Sequence, residues 1–245
     1  MPVLRMKKGG KMAGHAIGII INERKDPLPP GNVNNATSFP FPVRYKLVKG
    51  SNFQRLAREV DPTLVDSLIH AAKELEEDGV RAISGGCGYF INFQKELASA
   101  VNIPVFMSSL LQVPLIHRSL KQGQKVGIIC ADSTCLTKEP LEKAGIDDSI
   151  SIAVGGMQDQ LEFRRYIFDK VGVVDMDRLE QEVIEVVGNL LSNNPEVGAV
   201  LLECSDLPPF SKAVQEAFDL PVFDYISLIN WVYHAVVQHS YSGFI

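Results

Sequence analysis

The segment Val80-Arg81-Ala82-Ile83-Ser84-Gly85-Gly86-Cys87 opens a stretch, residues 80–107, that aligns without a gap on residues 197–224. The second stretch opens with Val197-Gly198-Ala199-Val200-Leu201-Leu202-Glu203-Cys204. Nine aligned positions are identical, whereas average residue usage gives roughly two by chance. We interpret the match as an internal duplication of a strand, a cysteine turn and a helix. Two such units related by a pseudo-twofold axis can bring their equivalent thiols face to face.

Composition narrows the class of protein. The 245 residues are 46% hydrophobic and 22% charged, which is typical of a globular chain of one or two domains. A net charge of -5 without a basic stripe argues against nucleic acid as a partner. Apolar runs stay below the roughly 18 residues of a membrane span, so we expect no membrane association. Residues 1–15 lack the apolar core of a signal peptide and predict a flexible leader on a cytoplasmic protein.

Strand and helix patterns alternate along the chain. Apolar runs at 16–21, 43–48 and 125–130 predict strands, and 61–78 predicts a helix with Asp61 as N-cap and Gly79 after its end. The fold class we predict is α/β, with two pseudo-symmetric domains, each a mainly parallel sheet flanked by helices, and an active site in the cleft between them. The first domain would comprise 16–115 plus 225–245, and the second 116–224.

Cys87 and Cys204 each lie between a strand and the next helix. The free N–H groups of a helix N-terminus favour a thiolate and can bind a substrate carboxylate. The glycines around Cys87 let the backbone approach a ligand closely. The alternative is a pair of tight turns with inert cysteines. Cys130 and Cys135 are expected to pack, and because the chain has no Cys-x-x-Cys pair we predict no metal site.

The paired cysteine turns, together with the strand Lys125-Val126-Gly127-Ile128-Ile129 leading to Thr134, resemble the aspartate/glutamate racemase superfamily, the cofactor-independent two-cysteine racemases. The resemblance covers nearly the whole chain from about residue 16. It implies two similar α/β domains, no cofactor and often a homodimer. It also implies that the loop holding Ser133 and Thr134 binds the substrate carboxylate.

The residues beside the cysteines depart from the family pattern. Glutamate and aspartate racemases usually have Asn-Thr after the first cysteine, where this chain has Gly88-Tyr89. After the second cysteine they usually have Thr and often His, where this chain has Ser205-Asp206. The substrate is therefore predicted only as a small molecule that bears a carboxylate. Asn22, Gly88, Tyr89 and Ser205 are the other candidate substrate contacts. The charge run at 23–26 is either a solvated loop or a lid.

Two cysteines favour stereoinversion. We predict a cofactor-independent, pyridoxal-phosphate-independent racemase or epimerase of an amino acid or related carboxylate, in which one thiolate removes the α proton and the other thiol reprotonates the opposite face. Decarboxylases of the superfamily are expected to keep only the second cysteine. The alternatives are an isomerase or decarboxylase that uses mainly Cys204, a small-molecule binding protein without turnover, and a redox dithiol.

Overall fold

The computed structural model describes residues 12–244. Residues 1–11 of the predicted leader lie outside the described residues. The described chain forms two four-stranded sheets in which all neighbouring strands are parallel, with helices packed against them. The predicted α/β class with two similar sheets is confirmed. Within residues 12–244, no helix is both long and apolar enough to cross a membrane.

The first sheet is built around β1, the strand Ile17–Asn22, whose first four residues are buried. Its strands are β1 (Ile17–Asn22), β2 (Val43–Val48), β3 (Ala82–Gly85) and β4 (Val105–Phe106), in the order β2-β1-β3-β4, with α1 (Val65–Asp78) and α2 (Gln94–Ala100) beside them. Asp61 caps the 3-10 turn that precedes α1 by accepting the N–H of Thr63, and Gly79 ends α1 at φ 93°. The end of α1 at Gly79 is as predicted, whereas α1 begins at Val65, because the predicted N-cap Asp61 caps the 3-10 turn before it.

The second sheet repeats this topology. Its strands are β5 (Lys125–Cys130), β6 (Ile152–Gly156), β7 (Val197–Leu202) and β8 (Val222–Phe223), in the order β6-β5-β7-β8. The helices in this half of the chain are α4 (Lys138–Lys143), α5 (Leu161–Phe163), α6 (Met176–Asn193) and α7 (Ser211–Phe218). All six residues of β7 are buried. Val200 and Leu202 belong to the core that includes α6, and Ala199 and Leu201 belong to the core that includes residues 113–116.

The two halves exchange the helix that follows their fourth strand. After β4, α3 (Val113–Ser119) packs Val113 and Ile116 against the core of the second sheet. After β8, α8 (Tyr225–Val236) packs Leu228 and Ile229 against Ile17 of the first sheet. The predicted domain boundary between residues 115 and 116 lies inside α3, whose buried side chains both belong to the second core. The exchange holds the carboxyl ends of β3 and β7 next to each other.

Candidate active site

A pocket opens where the carboxyl ends of β3 and β7 meet the loop after β1. Cys87 and Cys204 both line it, together with Asn22 and Arg24 from that loop. Cys204 is buried, whereas Cys87 is partly exposed. The volume of the pocket is about 40 Å³, well below that of a cleft for a drug-sized ligand. Only a small ligand matches this volume, and both thiols line the space that it would occupy.

Both thiols are held in the neutral form by their surroundings. The backbone N–H of Tyr89 contacts the Cys87 thiol, and that of Asp206 contacts the Cys204 thiol, as expected for a cysteine at the start of a helical turn. Burial nevertheless raises the pKa of Cys87 to about 12 and that of Cys204 well above its ordinary value, and nearby carboxyl groups add to both shifts. The expected preference for a thiolate is outweighed, so a thiolate here requires a proton acceptor or a positive charge beside it.

Asp206 is the proton acceptor nearest to Cys204. The Cys204 thiol donates to Asp206 Oδ2 at 3.6 Å. Three other side chains fix the same carboxylate: Arg24 Nη1 lies 2.8 Å from Oδ1, Asn32 Nδ2 donates at 2.6 Å and the Tyr166 hydroxyl donates at 3.2 Å. A thiol, a carboxylate and the groups that orient it form an arrangement suited to proton transfer.

Arg24 is buried with part of its guanidinium unused. Its side chain is 11% exposed and also pairs through Nε with Asp26 Oδ2 at 3.2 Å. Its Nη2 atom has no hydrogen-bond partner among residues 12–244, and the same holds for Asn22 Oδ1 and Asp26 Oδ1. Buried polar atoms are normally paired, so unpaired atoms that line a pocket indicate where a polar ligand binds. A guanidinium N–H is well suited to a substrate carboxylate.

Glu203 brings a second carboxyl group into the pocket. It directly precedes Cys204, is fully buried, and lines the pocket together with Gly88. A Cβ atom at position 88 would overlap the Glu203 carboxyl group, so this close approach requires glycine. The glycine beside Cys87 thus gives room to a carboxyl group of the opposite sheet.

The structure divides the candidate substrate contacts into two groups. Asn22, Gly88, Tyr89 and Ser205 line the pocket with both cysteines. The Tyr89 ring is buried, and its hydroxyl donates to the carbonyl of Asp132 at 2.6 Å, so this side chain joins the two halves of the chain across the pocket.

The loop implied to bind the carboxylate lies elsewhere. Thr134 lines a separate depression beside Arg58, and its hydroxyl donates to Asp132 Oδ1 at 2.6 Å. The Ser133 hydroxyl accepts from Gln158 Nε2 at 3.0 Å. The structure does not bring these two side chains to the pocket that holds the cysteines. In their place, Arg24 provides the unpaired N–H groups.

Three charged pocket residues were missed or undervalued by sequence reasoning. Arg24 and Asp26 read as part of a solvated or lid-forming charge run, yet their side chains are 11% and 4% exposed. Glu203 was not among the predicted site residues. One signal was available for it, because a glutamate that directly follows the apolar run 197–202 and precedes a turn cysteine is unusual in a buried position.

Solved structures with the same fold carry two kinds of chemistry. Glutamate racemase isoform RacE1 from Bacillus anthracis aligns with a TM-score of 0.58 at 13% identity, covering 92% of this chain and 85% of that one. An aspartate racemase from Picrophilus torridus gives 0.55 at 20% identity, covering 86% and 89%. Unliganded arylmalonate decarboxylase gives 0.57 at 12% identity, covering 92% and 94%. The chain has the fold of the aspartate/glutamate racemase superfamily.

Sequence comparison narrows this class. No family model matches the chain. A dimethylsulfoniopropionate lyase from Durusdinium sp. clade D is 31% identical over 223 residues, covering 87% of this chain and 72% of the relative. Dimethylsulfoniopropionate lyase 3 from Emiliania huxleyi (strain CCMP1516) is 30% identical over 237 residues, and the chain spans 61% of its length. The chain belongs to the dimethylsulfoniopropionate lyase family.

Proposed function

We propose that the chain is a lyase that cleaves dimethylsulfoniopropionate, or a closely related β-sulfonio carboxylate, to dimethyl sulfide and acrylate. The observation that carries the proposal is the pocket in which two thiols meet an unpaired arginine nitrogen, in a chain of this family. The proposed substrate is a small carboxylate, the same class of molecule that the sequence predicts. The relatives are lyases by name.

The chemistry needs one base. A thiolate removes a proton from Cα, the C–H electron pair forms the Cα=Cβ double bond, and the Cβ–S bond breaks with its electrons going to sulfur. Dimethyl sulfide leaves neutral, acrylate remains, and one proton finally passes to water. A racemase or decarboxylase of the same fold also handles negative charge at the carbon next to a carboxylate. The substrate of the lyase differs because it carries a leaving group, dimethyl sulfide, on the neighbouring carbon Cβ.

We assign the base to Cys204 because its thiol contacts a proton acceptor. Transfer of the thiol proton to Asp206 over 3.6 Å produces the thiolate that removes the Cα proton, and Asp206 then releases its proton to water. Cys87 lines the same pocket from the turn after β3 of the other sheet. The unpaired Nη2 of Arg24 binds the carboxylate and stabilises the negative charge that develops on it in the transition state.

The direct test is release of dimethyl sulfide, measured by headspace gas chromatography, with acrylate followed by NMR. We expect Cys204→Ser to lower kcat by roughly 10²- to 10⁴-fold, the usual contribution of a positioned base. Cys87→Ser should lower kcat at least tenfold. Cys135→Ser is the matched control, because this thiol lies in the separate depression. Wild-type protein that releases no dimethyl sulfide would contradict the proposal.

Racemisation or epimerisation by two thiols is the second candidate. It is favoured by one observation, that the cysteines of both duplicated turns line the same pocket. Single-enantiomer amino acids incubated with the protein in deuterated water would then gain deuterium at Cα with inversion. The absence of exchange across a broad panel, together with release of dimethyl sulfide, would exclude this candidate.

A further inference from the structure

The side chain of Glu203 lies in the pocket, and two hydrogen bonds fix the main chain of this residue. Its backbone N–H donates to the carbonyl of Ile129 at 2.7 Å, and its carbonyl accepts from the Ser109 hydroxyl at 3.1 Å. The side chain is 0% exposed and lines the pocket beside Cys87 and Gly88. The main chain is therefore fixed on both sides, and the buried side chain lies among the pocket residues.

Neither oxygen of this carboxyl group has a hydrogen-bond partner in the part of the chain that the structure describes. A buried carboxyl group without a partner is destabilising, and an ionised one is far more so. Burial accordingly raises the pKa of Glu203 to about 8, which keeps much of the group protonated near neutral pH when the pocket is empty. A positive charge placed beside it would reverse this balance.

The cations of the chain that line the pocket are engaged elsewhere or carry no contact to Glu203. Arg24 pairs with Asp26 and Asp206, and Lys170 acts electrostatically on Asp26. Among residues 12–244 no ion pair to Glu203 is formed. The described chain therefore leaves this carboxyl group available to a cationic ligand.

A sulfonium substrate supplies that partner at the right place. The base must stand about 3 to 3.5 Å from Cα, and the sulfonium sulfur is only two bonds from Cα, so both groups share the same small pocket. The electrostatic influence of Glu203 extends to both thiols. The rings of Phe53 and Tyr89 also line the pocket, and the Phe53 ring already holds the Arg58 guanidinium at 5.5 Å from its centroid.

We propose that Glu203 is the counter-ion of the substrate's sulfonium group and makes the pocket select a cationic group over a neutral group of the same shape. The proposal rests on the proposed lyase function for the identity of the cation. Glu203 acts here as a specificity-determining residue. It also offsets the cost of bringing a cation into a buried pocket, and the cation in turn favours the nearby thiolate.

Two ligands that resemble the substrate in shape test the charge requirement. In 4-methylpentanoate a neutral CH replaces the sulfonium sulfur, and in 3-(dimethylamino)propionate a protonated nitrogen replaces it. Their dissociation constants are measured by titration calorimetry at pH 7. We expect wild-type protein to bind the cationic ligand at least tenfold more tightly, and Glu203→Gln to lower this ratio at least tenfold. A structural role alone would weaken both ligands together and leave the ratio unchanged.

Glu23→Gln is the matched control, because this pocket carboxylate is already paired with the N–H of Gly50 at 2.9 Å. Its ratio should stay within twofold of wild type. Equal affinity of wild-type protein for both ligands overturns the inference without any variant, as does an unchanged ratio in Glu203→Gln. Selective binding of the cationic ligand without release of dimethyl sulfide would refute the lyase function and leave the counter-ion role standing.

Discussion

Replacing Asp206 by asparagine separates the catalytic use of this residue from its structural use. The carboxylate accepts the Cys204 thiol and is ion-paired with Arg24 at 2.8 Å. Asparagine keeps one oxygen and the size of the side chain, but it loses the negative charge. We expect kcat for dimethyl sulfide release to fall at least about 10²-fold, because Cys204 loses its proton acceptor.

The cost in stability follows from the same contacts. Removing one partner of a buried ion pair costs about 3–5 kcal/mol. Here Arg24 keeps its contact to Asp26, and the asparagine oxygen can still accept from Asn32 and Tyr166. The loss should therefore be nearer the value of one charged hydrogen bond, about 1.5–3 kcal/mol. Urea unfolding followed by fluorescence or circular dichroism measures it.

Asp26→Asn is the control for this prediction. Asp26 pairs with the same guanidinium, and its side chain is 4% exposed. Its carboxylate contacts Arg24, whereas the Cys204 thiol contacts Asp206. Its variant should lose a similar free energy of unfolding while kcat falls much less than in Asp206→Asn. Asp206 is not the proton acceptor of Cys204 if both variants lose kcat equally, or if Asp206→Asn keeps kcat within threefold. In the double variant Cys204→Ser/Asp206→Asn, kcat should fall little beyond the single Cys204→Ser, because the two residues act as a unit.

Two further predictions concern Glu203 and its neighbour. Gly88→Ala should destabilise the fold by about 1–3 kcal/mol, because the added methyl group overlaps the enclosed Glu203 carboxyl group, whereas Gly188→Ala in α6 should be neutral or stabilising; equal unfolding midpoints in urea for the two variants would contradict this. The pKa of Glu203 is raised to about 8 in the folded chain and lies near about 4.3 when solvated. Between these values the unfolded chain has lost a proton that the folded chain keeps, so the free energy of unfolding should fall with rising pH by up to about 1.4 kcal/mol per unit. Glu203→Gln should flatten this dependence in urea titrations between pH 5.5 and 8, and identical slopes for variant and wild type would count against a buried, protonated Glu203.

Local patterns carried much of the fold. The Asp61 cap and Gly79 mark the ends of the α1 region as the sequence predicts, and the apolar runs at 125–130 and 197–202 form buried parallel strands. The reason is that caps, turn glycines and strand burial depend on residues close in sequence or on the overall apolar period. The duplication also located both turn cysteines at carboxyl ends of strands, which in parallel sheets gather at one edge.

Polar side chains in the pocket followed a different rule. The resemblance to the racemase superfamily implied Thr134 as a ligand of the substrate carboxylate, and the sequence predicted a solvated or lid-forming run for 23–26. In the structure the Thr134 hydroxyl donates to Asp132, and Thr134 lines a separate depression. The Arg24 side chain is buried in the pocket, where it pairs with Asp206. Whether a charged side chain is buried depends on the partner that it meets, and that partner can come from anywhere in the chain.

Two repeated α/β units, each with a cysteine after its third strand, can be read from the amino-acid sequence alone. The electrostatics around those cysteines depend on the folded chain. It joins Arg24 to Asp206 across 182 positions of sequence, and it sets Glu203 against Gly88 of the opposite sheet. The pKa values of the thiols, and hence the chemistry that they can perform, arise from these long-range contacts and from burial, which no local pattern encodes.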